Sequence, residues 1–349
     1  MKTAIVEISK SHEECIYSQI SFLKDAGHQV TLVLNSKLDE QILDYAHLAD
    51  DIVYFDFEKV SGIKKIQLSW GLFVALKTFD FVIFNTAHSN SVLRNVSVML
   101  QFAKTKCIGI LHDTKKLQSS FTQRIISKKV KHYFVLNDAL LPAKETAQGV
   151  SLQSFYPIFF PDYEKVPVYK QDHIWIGIPG RIDYQRRDFD FLTEALEQIE
   201  GLDRIRFLIL GKLDYGTPDG KRFQDSLEKS GQSKRLKLFH SFIENRDFHA
   251  YLDECDYIMP LLRPNEDYLS AKISGAFNLA FAHRKPMLCN SFFKDIPDLE
   301  ANSFFYDAAS FPQLISDIAA GRLKTPTSYS DPKWKYEFQQ NRYIDFINE

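Results

Sequence analysis

Three groups of residues in this 349-residue chain have the types and spacing needed for chemistry. The first lies in WIGIPGRIDYQRRDFDFLTEAL, Trp175 to Leu196. There a strand-like run stops at Pro179-Gly180-Arg181, and Arg186 and Arg187 precede an amphipathic helical pattern. A glycine lets backbone N–H groups approach a ligand closely, a helix N-terminus favours anions, and arginines add charge-assisted bonds to phosphate. Gly180, Arg181 and either Arg186 or Arg187 are therefore expected to grip a diphosphate. The second group is Lys272-Ile273-Ser274-Gly275, where Ser274 and Gly275 open a helix toward an anion and Lys272 adds a cation. Glu266 and Asp267 lie just upstream as carboxylates for a sugar. The third group holds His112-Asp113 at the end of CIGIL, with His88 as a weaker candidate, and His12-Glu13 in ISKSHEEC. A histidine beside an acid suits proton transfer near neutral pH. A helix cap by Ser11 with Glu14 three residues on is the purely structural account of the last stretch.

The elements that must position these residues follow from hydrophobic pattern. TAIVEI, QVTLVL, DIVYF, DFVIF and CIGIL read as buried strands, separated by stretches of helical spacing such as Ile16, Ile20 and Leu23. That alternation predicts a parallel, doubly wound sheet. The rhythm breaks at PIFFPDYEKVPVYKQDH and resumes with HIWIGI, RIRFLIL, LKLF, DYIMPL, KPMLC and SFFY. The expected organisation is an N-terminal Rossmann-like domain over 1–160, a linker over 161–172 and a second such domain over 173–325. A helical tail over 326–349 is expected to pack back toward the first domain.

Composition narrows the class. The chain is 45% hydrophobic and 25% charged with a formal net charge of −2, so bulk charge offers nothing toward nucleic acid. Four separated cysteines without a C-x-x-C pair fit reduced, buried thiols better than disulfides or zinc, and no clear D-x-D motif of the metal-dependent type stands out. No apolar run reaches the roughly 20 residues needed to span a bilayer. The basic stretch over 115–131, with Leu117, Phe121, Ile125 and Ile126 between its cations, reads as an amphipathic helix able to lie on an anionic membrane. The location expected is cytoplasmic, peripheral on the inner membrane face. No G-x-G-x-x-G follows the first strand, which argues against a dinucleotide-dependent dehydrogenase.

Gly180-Arg181, the basic pair and FDFLTEAL resemble the G-R…K-G-x-D-x-L-x-E-A-L segment of the retaining GT-B glycosyltransferases called glycosyl transferases group 1. RFLILGK, LKLFHSFIENRDFHAYLDECDYIMPLLRP and KISGAFNLAFAHRKPML resemble that family's following segments in the same order, so the likeness covers roughly residues 173–300. The resemblance implies two Rossmann-like domains facing a cleft and a nucleotide sugar as substrate, UDP- or GDP-linked, with no metal and no cofactor. It gives Arg181 the family's arginine role and Arg186 or Arg187 its lysine role. Phe242 and Ile243 fall where the family contacts the nucleobase. The resemblance also implies that His112 faces the reaction centre, and His12, Glu13 and Asp113 are expected on the acceptor side. Aligned on Lys285-Pro286, the family's E-x7-E glutamates fall on Ala271 and Leu279.

The function expected is sugar transfer from a nucleotide sugar to a glycan or lipid-linked acceptor in surface polysaccharide or glycoconjugate synthesis. The missing glutamates keep two rivals in view: a silent subunit that binds a nucleotide or a partner glycosyltransferase, and a nucleotide-sugar epimerase.

Overall fold

The computed structural model describes residues 1–56, 62–88, 90–142, 149–199, 202–324 and 328–349. The boundary expected at 325/326 lies outside these residues. The chain forms two compact units: one holds Met1–Pro161, Asp267–Ile273 and Pro332–Glu349, the other Asp162–Glu266 and Ser274–Asp331. Among the described residues, no helix is long and apolar enough to cross a membrane.

The first unit is built on strands β1 (Lys2–Glu7), β2 (Gln29–Asn35), β3 (Asp51–Phe55), β4 (Phe81–Phe84), β5 (Lys106–Leu111), β6 (His132–Val135) and β7 (Ser151–Ser154). They lie in the order β3-β2-β1-β4-β5-β6-β7, every pair parallel. Helices α1 (Ile16–Asp25), α2 (Gly62–Leu76), α3 (Ser91–Leu100), α4 (Lys115–Ser119) and α5 (Phe121–Ile126) connect them. Continuous apolar runs such as AIV and FVIF suit strands buried on both faces. One face packs Leu72, Leu76, Val96, Leu100 and Ile126, the other Ile16, Ile20, Leu23, Leu32 and Ile110.

The basic stretch over 115–131 is not one amphipathic helix. Ser120 is extended, caps α5 and separates it from α4, and His132–Val135 enters the sheet as β6. Leu117, Ile126 and Val130 are buried in the core, so the stretch has no continuous apolar face of its own, and Phe121 is exposed at 69%.

The second unit contains β8 (Ile174–Pro179), β9 (Ile205–Lys212), β10 (Leu236–Phe239), β11 (Tyr257–Ile258), β12 (Met287–Asn290) and β13 (Ser303–Tyr306). Their order is β10-β9-β8-β11-β12-β13, again all parallel. Helices α6 (Phe189–Gln198), α7 (Pro218–Ser230) and α8 (Asn245–Glu254) follow β8, β9 and β10. The chain then leaves this unit for a seven-residue segment, Asp267–Ile273, that carries the short helix α9 (Asp267–Ser270) and packs in the first unit. It returns for α10 (Gly275–Ala282), α11 (Pro297–Glu300) and α12 (Phe311–Ala319). The stretch after Pro161 packs in the second unit: Lys170 donates to Asp256 at 2.8 Å and Tyr163 stacks on His249 at 4.8 Å.

The last helix, α13 (Tyr336–Asn348), belongs to the first unit. Its Tyr343 ring lies flat on Phe134, centroids 4.4 Å apart, and Phe346 and Ile347 complete the same core. A tail that buries large aromatics this way is part of the fold's hydrophobic core.

Candidate functional site

In an open parallel sheet, ligands bind beyond the strand C-termini where the strand order reverses. In the first unit that point lies between β1 and β4, and Glu7, Asn85 and Thr86 stand there. Glu7 is wholly buried. Its Oε2 accepts from Asn85 Nδ2 at 2.7 Å and Thr86 Oγ1 at 2.6 Å, and its Oε1 accepts from the Ser9 backbone at 2.6 Å. Burial raises the Glu7 pKa, and these hydrogen bonds offset only part of that shift.

Asn85 is the hub of the arrangement. Its side chain also donates to the His12 carbonyl at 2.7 Å and accepts from Gln19 at 2.6 Å, while its backbone carbonyl takes the His112 Nε2–H at 2.8 Å. Gln19 in turn accepts from the Tyr343 hydroxyl at 3.1 Å. Neither Glu7 nor Asn85 was singled out from sequence; the available signal was a polar residue ending each of two buried strands.

This network fixes His12 and His112 face to face, ring centroids 3.7 Å apart and 25° from parallel. His12 sits at φ 73, a left-handed conformation that costs a non-glycine residue on the order of 1–3 kcal/mol and recurs at functional sites. Ser11 does not cap the turn that follows; its hydroxyl lies 3.4 Å from that of Ser9.

The two rings have opposite acidities. Burial pushes the His112 pKa down to about 3, reinforced by the neighbouring His12. For His12, burial works against the charge, but Glu14, with Oε1 3.4 Å from Nδ1, together with Glu7 and Glu13, raises its pKa. Glu13 is raised by burial and then by Glu14. The expectation that His112 titrates near neutral pH is thus corrected. A carbonyl only accepts, so the His112 Nε2 carries the proton and its Nδ1 presents a lone pair. Near neutral pH, His112 is an acceptor, and the groups drawn toward that range are His12 and Glu13.

His88 lies 6.4 Å from His112, edge to face, and its buried Nδ1 has no partner among the described residues. Asp113 does not face an open site. Its Oδ1 accepts from the Lys115 backbone at 3.1 Å, and its Oδ2 lies 3.9 Å from Lys272.

In the second unit the order reverses between β8 and β11, and the Pro179-Gly180-Arg181 turn stands there. Gly180 has φ 107, and a Cβ on it would sit 2.3 Å from Arg187 Nη2. Arg187 is 8% exposed; its guanidinium returns beneath the turn and donates to Pro179 O at 2.6 Å and Arg181 O at 3.0 Å. Arg186 points away, 67% exposed and 4.0 Å from Asp183, while Arg181 is exposed on the turn itself. Of the two alternatives, Arg187 is therefore the one whose charge the fold brings to the turn. Opposite it, Leu261 adopts φ 53 while almost fully buried, and its carbonyl receives the Asp188 N–H at 2.8 Å. A bulky residue at positive φ is a true outlier, so a strained residue marks the strand reversal in each unit.

The helix N-terminus expected to serve the anion here is closed. Asp188 caps α6, accepting from Phe191 N at 3.4 Å. Arg263 pairs with Asp188 at 3.0 Å and Asp190 at 2.9 Å, and Arg222 pairs with Asp190 at 2.7 Å. The helix's own carboxylates satisfy its dipole.

Ser274 caps α10 by accepting from Ala276 N at 3.3 Å, with Gly275 opening the helix. Lys272 does not join them in the second unit. It lies in the segment that packs in the first, 2.8 Å from Asp267 and 3.9 Å from Asp113. Asp267 is committed as well: Lys115 and Lys272 hold its carboxyl down to about 2. Glu266 is exposed at the end of the second unit's first segment. Beyond β10, Phe242 and Ile243 line a cleft of about 230 Å³ with Val168, Asp247 and Tyr251, and Phe242 is 76% exposed on its wall.

Comparison with known proteins gives no matching family model and no matching curated protein. Solved structures do match. HepE of Anabaena in complex with UDP-glucose superposes with a TM-score of 0.71 at 13% identity, covering 100% of this chain and 99% of that one. A putative UDP-N-acetylglucosamine 2-epimerase from Listeria monocytogenes gives 0.67 at 12%, covering 99% and 95%. A glycosyltransferase from Rickettsia africae ESF-5 gives 0.65 at 13%, covering 99% and 94%. This likeness shows the fold: the chain has the two Rossmann-like parallel-sheet domains of the GT-B class.

Proposed function

We propose that this chain is a glycosyltransferase that transfers a sugar from a UDP-linked donor to a glycan or lipid-linked acceptor. The observation that carries the reading is the β8 turn, with Arg181 exposed upon it and Arg187 buried beneath it. Loss of a nucleoside diphosphate builds negative charge on the bridging oxygen, and fixed cations stabilise that charge more in the transition state than in the ground state. In this assignment Arg181 and Arg187 neutralise the departing diphosphate, Ser274 and Gly275 supply N–H groups, and Phe242 and Ile243 flank the base. His112 accepts a hydroxyl proton in a hydrogen bond, and Glu13 and His12 exchange protons with the acceptor. UDP is preferred to GDP because the similar solved structures carry UDP or UDP-glucose.

Donor turnover by the wild type, Arg181→Ala and Lys229→Ala tests this. Arg181→Ala is expected to lose at least roughly 100-fold, the scale on which removing one charge-stabilising donor slows other enzymes. Lys229→Ala stays near wild type. Equal turnover in both variants overturns the assignment.

The similar solved structures include UDP-N-acetylglucosamine 2-epimerase, and the raised Glu13 beside His12 is an acid–base pair that an epimerase also needs. Product analysis with donor alone separates the readings: an inverted sugar nucleotide supports the epimerase, release of free UDP the transferase. UDP binding without either product identifies a silent binding subunit.

A further inference from the structure

Helix α2 presents an apolar stripe to solvent. Ile63, Ile66, Trp70 and Val74 recur at helical spacing on one face and are 74%, 66%, 59% and 42% exposed, while Leu72 and Leu76 on the opposite face are wholly buried. Helix α3 packs beside α2 on the same core, and just beyond its end Phe102 is 90% exposed; α5, on that core too, adds Phe121 at 69%. Isolated exposed apolar residues are ordinary, but a four-residue apolar stripe along one helix face marks an interaction surface.

The charges around this set have one sign. Residues 62–79, 90–106 and 114–131, which form α2 to α5 and their flanks, contain no Asp or Glu, in a chain whose formal net charge is −2. Lys64, Lys77, Lys104, Arg124 and Lys128 are exposed there.

We infer that the α2–α3–α5 face of the first unit docks on an anionic lipid bilayer, with Trp70 and its apolar neighbours entering the headgroup boundary. A bilayer suits both halves of the observation. Cations without carboxylates complement anionic headgroups, and a tryptophan on an apolar stripe is the residue type that settles at a membrane interface. A nucleic acid would use the charge and leave the stripe in water; a second copy of this chain would set like charges against each other. Docking of this kind would hold the enzyme beside a lipid-linked acceptor, and it stands or falls independently of the donor site.

The chain carries its own reporter. Of its three tryptophans, Trp175 and Trp334 are buried, at 4% and 3% exposure, so a change in emission on adding vesicles reports Trp70. Phosphatidylcholine vesicles with and without about 30% phosphatidylglycerol are titrated into the full chain at low salt, followed by flotation. The expected result is a blue shift and co-flotation with the anionic vesicles only, both lost at high salt. Trp70→Glu with Ile66→Glu reduces partitioning at least tenfold, as does Lys64→Glu with Lys77→Glu. Tyr169→Glu, an 81% exposed aromatic in the second unit, leaves it unchanged. Absence of binding to anionic vesicles overturns the inference. So does binding that survives Trp70→Glu with Ile66→Glu, or a concentration-dependent dimer abolished by that pair without lipid binding.

Discussion

Substituting Gly180 by alanine should uncouple the β8 turn from Arg187. Two costs add. The backbone at φ 107 lies where L residues rarely go, worth on the order of 1–3 kcal/mol. The new Cβ would also meet Arg187 Nη2 at 2.3 Å, so the guanidinium must move. Arginine ends are flexible, but this one is 8% exposed and held by two carbonyls at 2.6 and 3.0 Å. A hydrogen bond from a charged donor contributes roughly 1.5–3 kcal/mol, so losing one brings the total to about 3–6 kcal/mol. The reduced freedom of the unfolded alanine chain returns about 0.4–1 kcal/mol. The net expectation is a loss of about 2–5 kcal/mol, a large part of the ~5–15 kcal/mol typical of a domain.

Urea unfolding of the intact chain, followed by circular dichroism, measures it. Gly231→Ala is the control. Gly231 ends α7 at φ 65, and an added Cβ there would have nothing within 4 Å. It therefore carries backbone strain alone and should lose only about 1–2 kcal/mol. The excess of Gly180→Ala over Gly231→Ala is the contribution of Arg187 beneath the turn. If the two variants unfold at the same urea concentration, the guanidinium is not packed where the structure puts it, and the reasoning fails.

Arg187→Ala should abolish stabilisation by UDP in a thermal-shift assay, whereas Arg186→Ala should retain it; equal shifts would return the choice between them to open. Asn85→Ala strands Glu7, Gln19 and the His12 carbonyl, so a loss of about 2–4 kcal/mol in urea unfolding is expected, and a change under about 0.5 kcal/mol would refute the hub. Acid should destabilise the fold through buried neutral histidines. Burial and then His283 push His249 down to about 4, and burial pushes His112 to about 3, so the unfolded chain protonates first as pH falls below the usual 6.5. Their stabilisation is complete above that value and is lost progressively toward pH 4, roughly 2 kcal/mol per histidine by pH 5; urea midpoints unchanged from pH 7.5 to 5 would contradict this.

Much of the fold was legible because parallel strands buried on both faces leave apolar runs, and FVIF or IWIGI allow little else. β6 and β7 escaped for other reasons: the apolar run of β6 directly follows three lysines and reads as the end of the basic stretch, and three of the four residues of the edge strand SLQS are polar. At the candidate site, residue types could be read but not directions. Arg186 and Arg187 are adjacent, and the inward turn of Arg187 goes with long-range contacts, its antiparallel bridge to Leu262 and its bonds to two turn carbonyls, that sequence does not announce. Lys272 reads as a partner of Ser274 because sequence gives no sign that Asp267–Ile273 packs in another unit. The left-handed His12 follows from the distant Asn85, which no local pattern announces.

Calorimetric titration of UDP into the wild type and Arg181→Ala bears most directly on the cationic turn of the second unit. Saturable one-to-one binding is expected for the wild type, with at least a tenfold weaker constant, about 1.4 kcal/mol, for the variant. Undiminished affinity in Arg181→Ala, or no heat with the wild type, would contradict it.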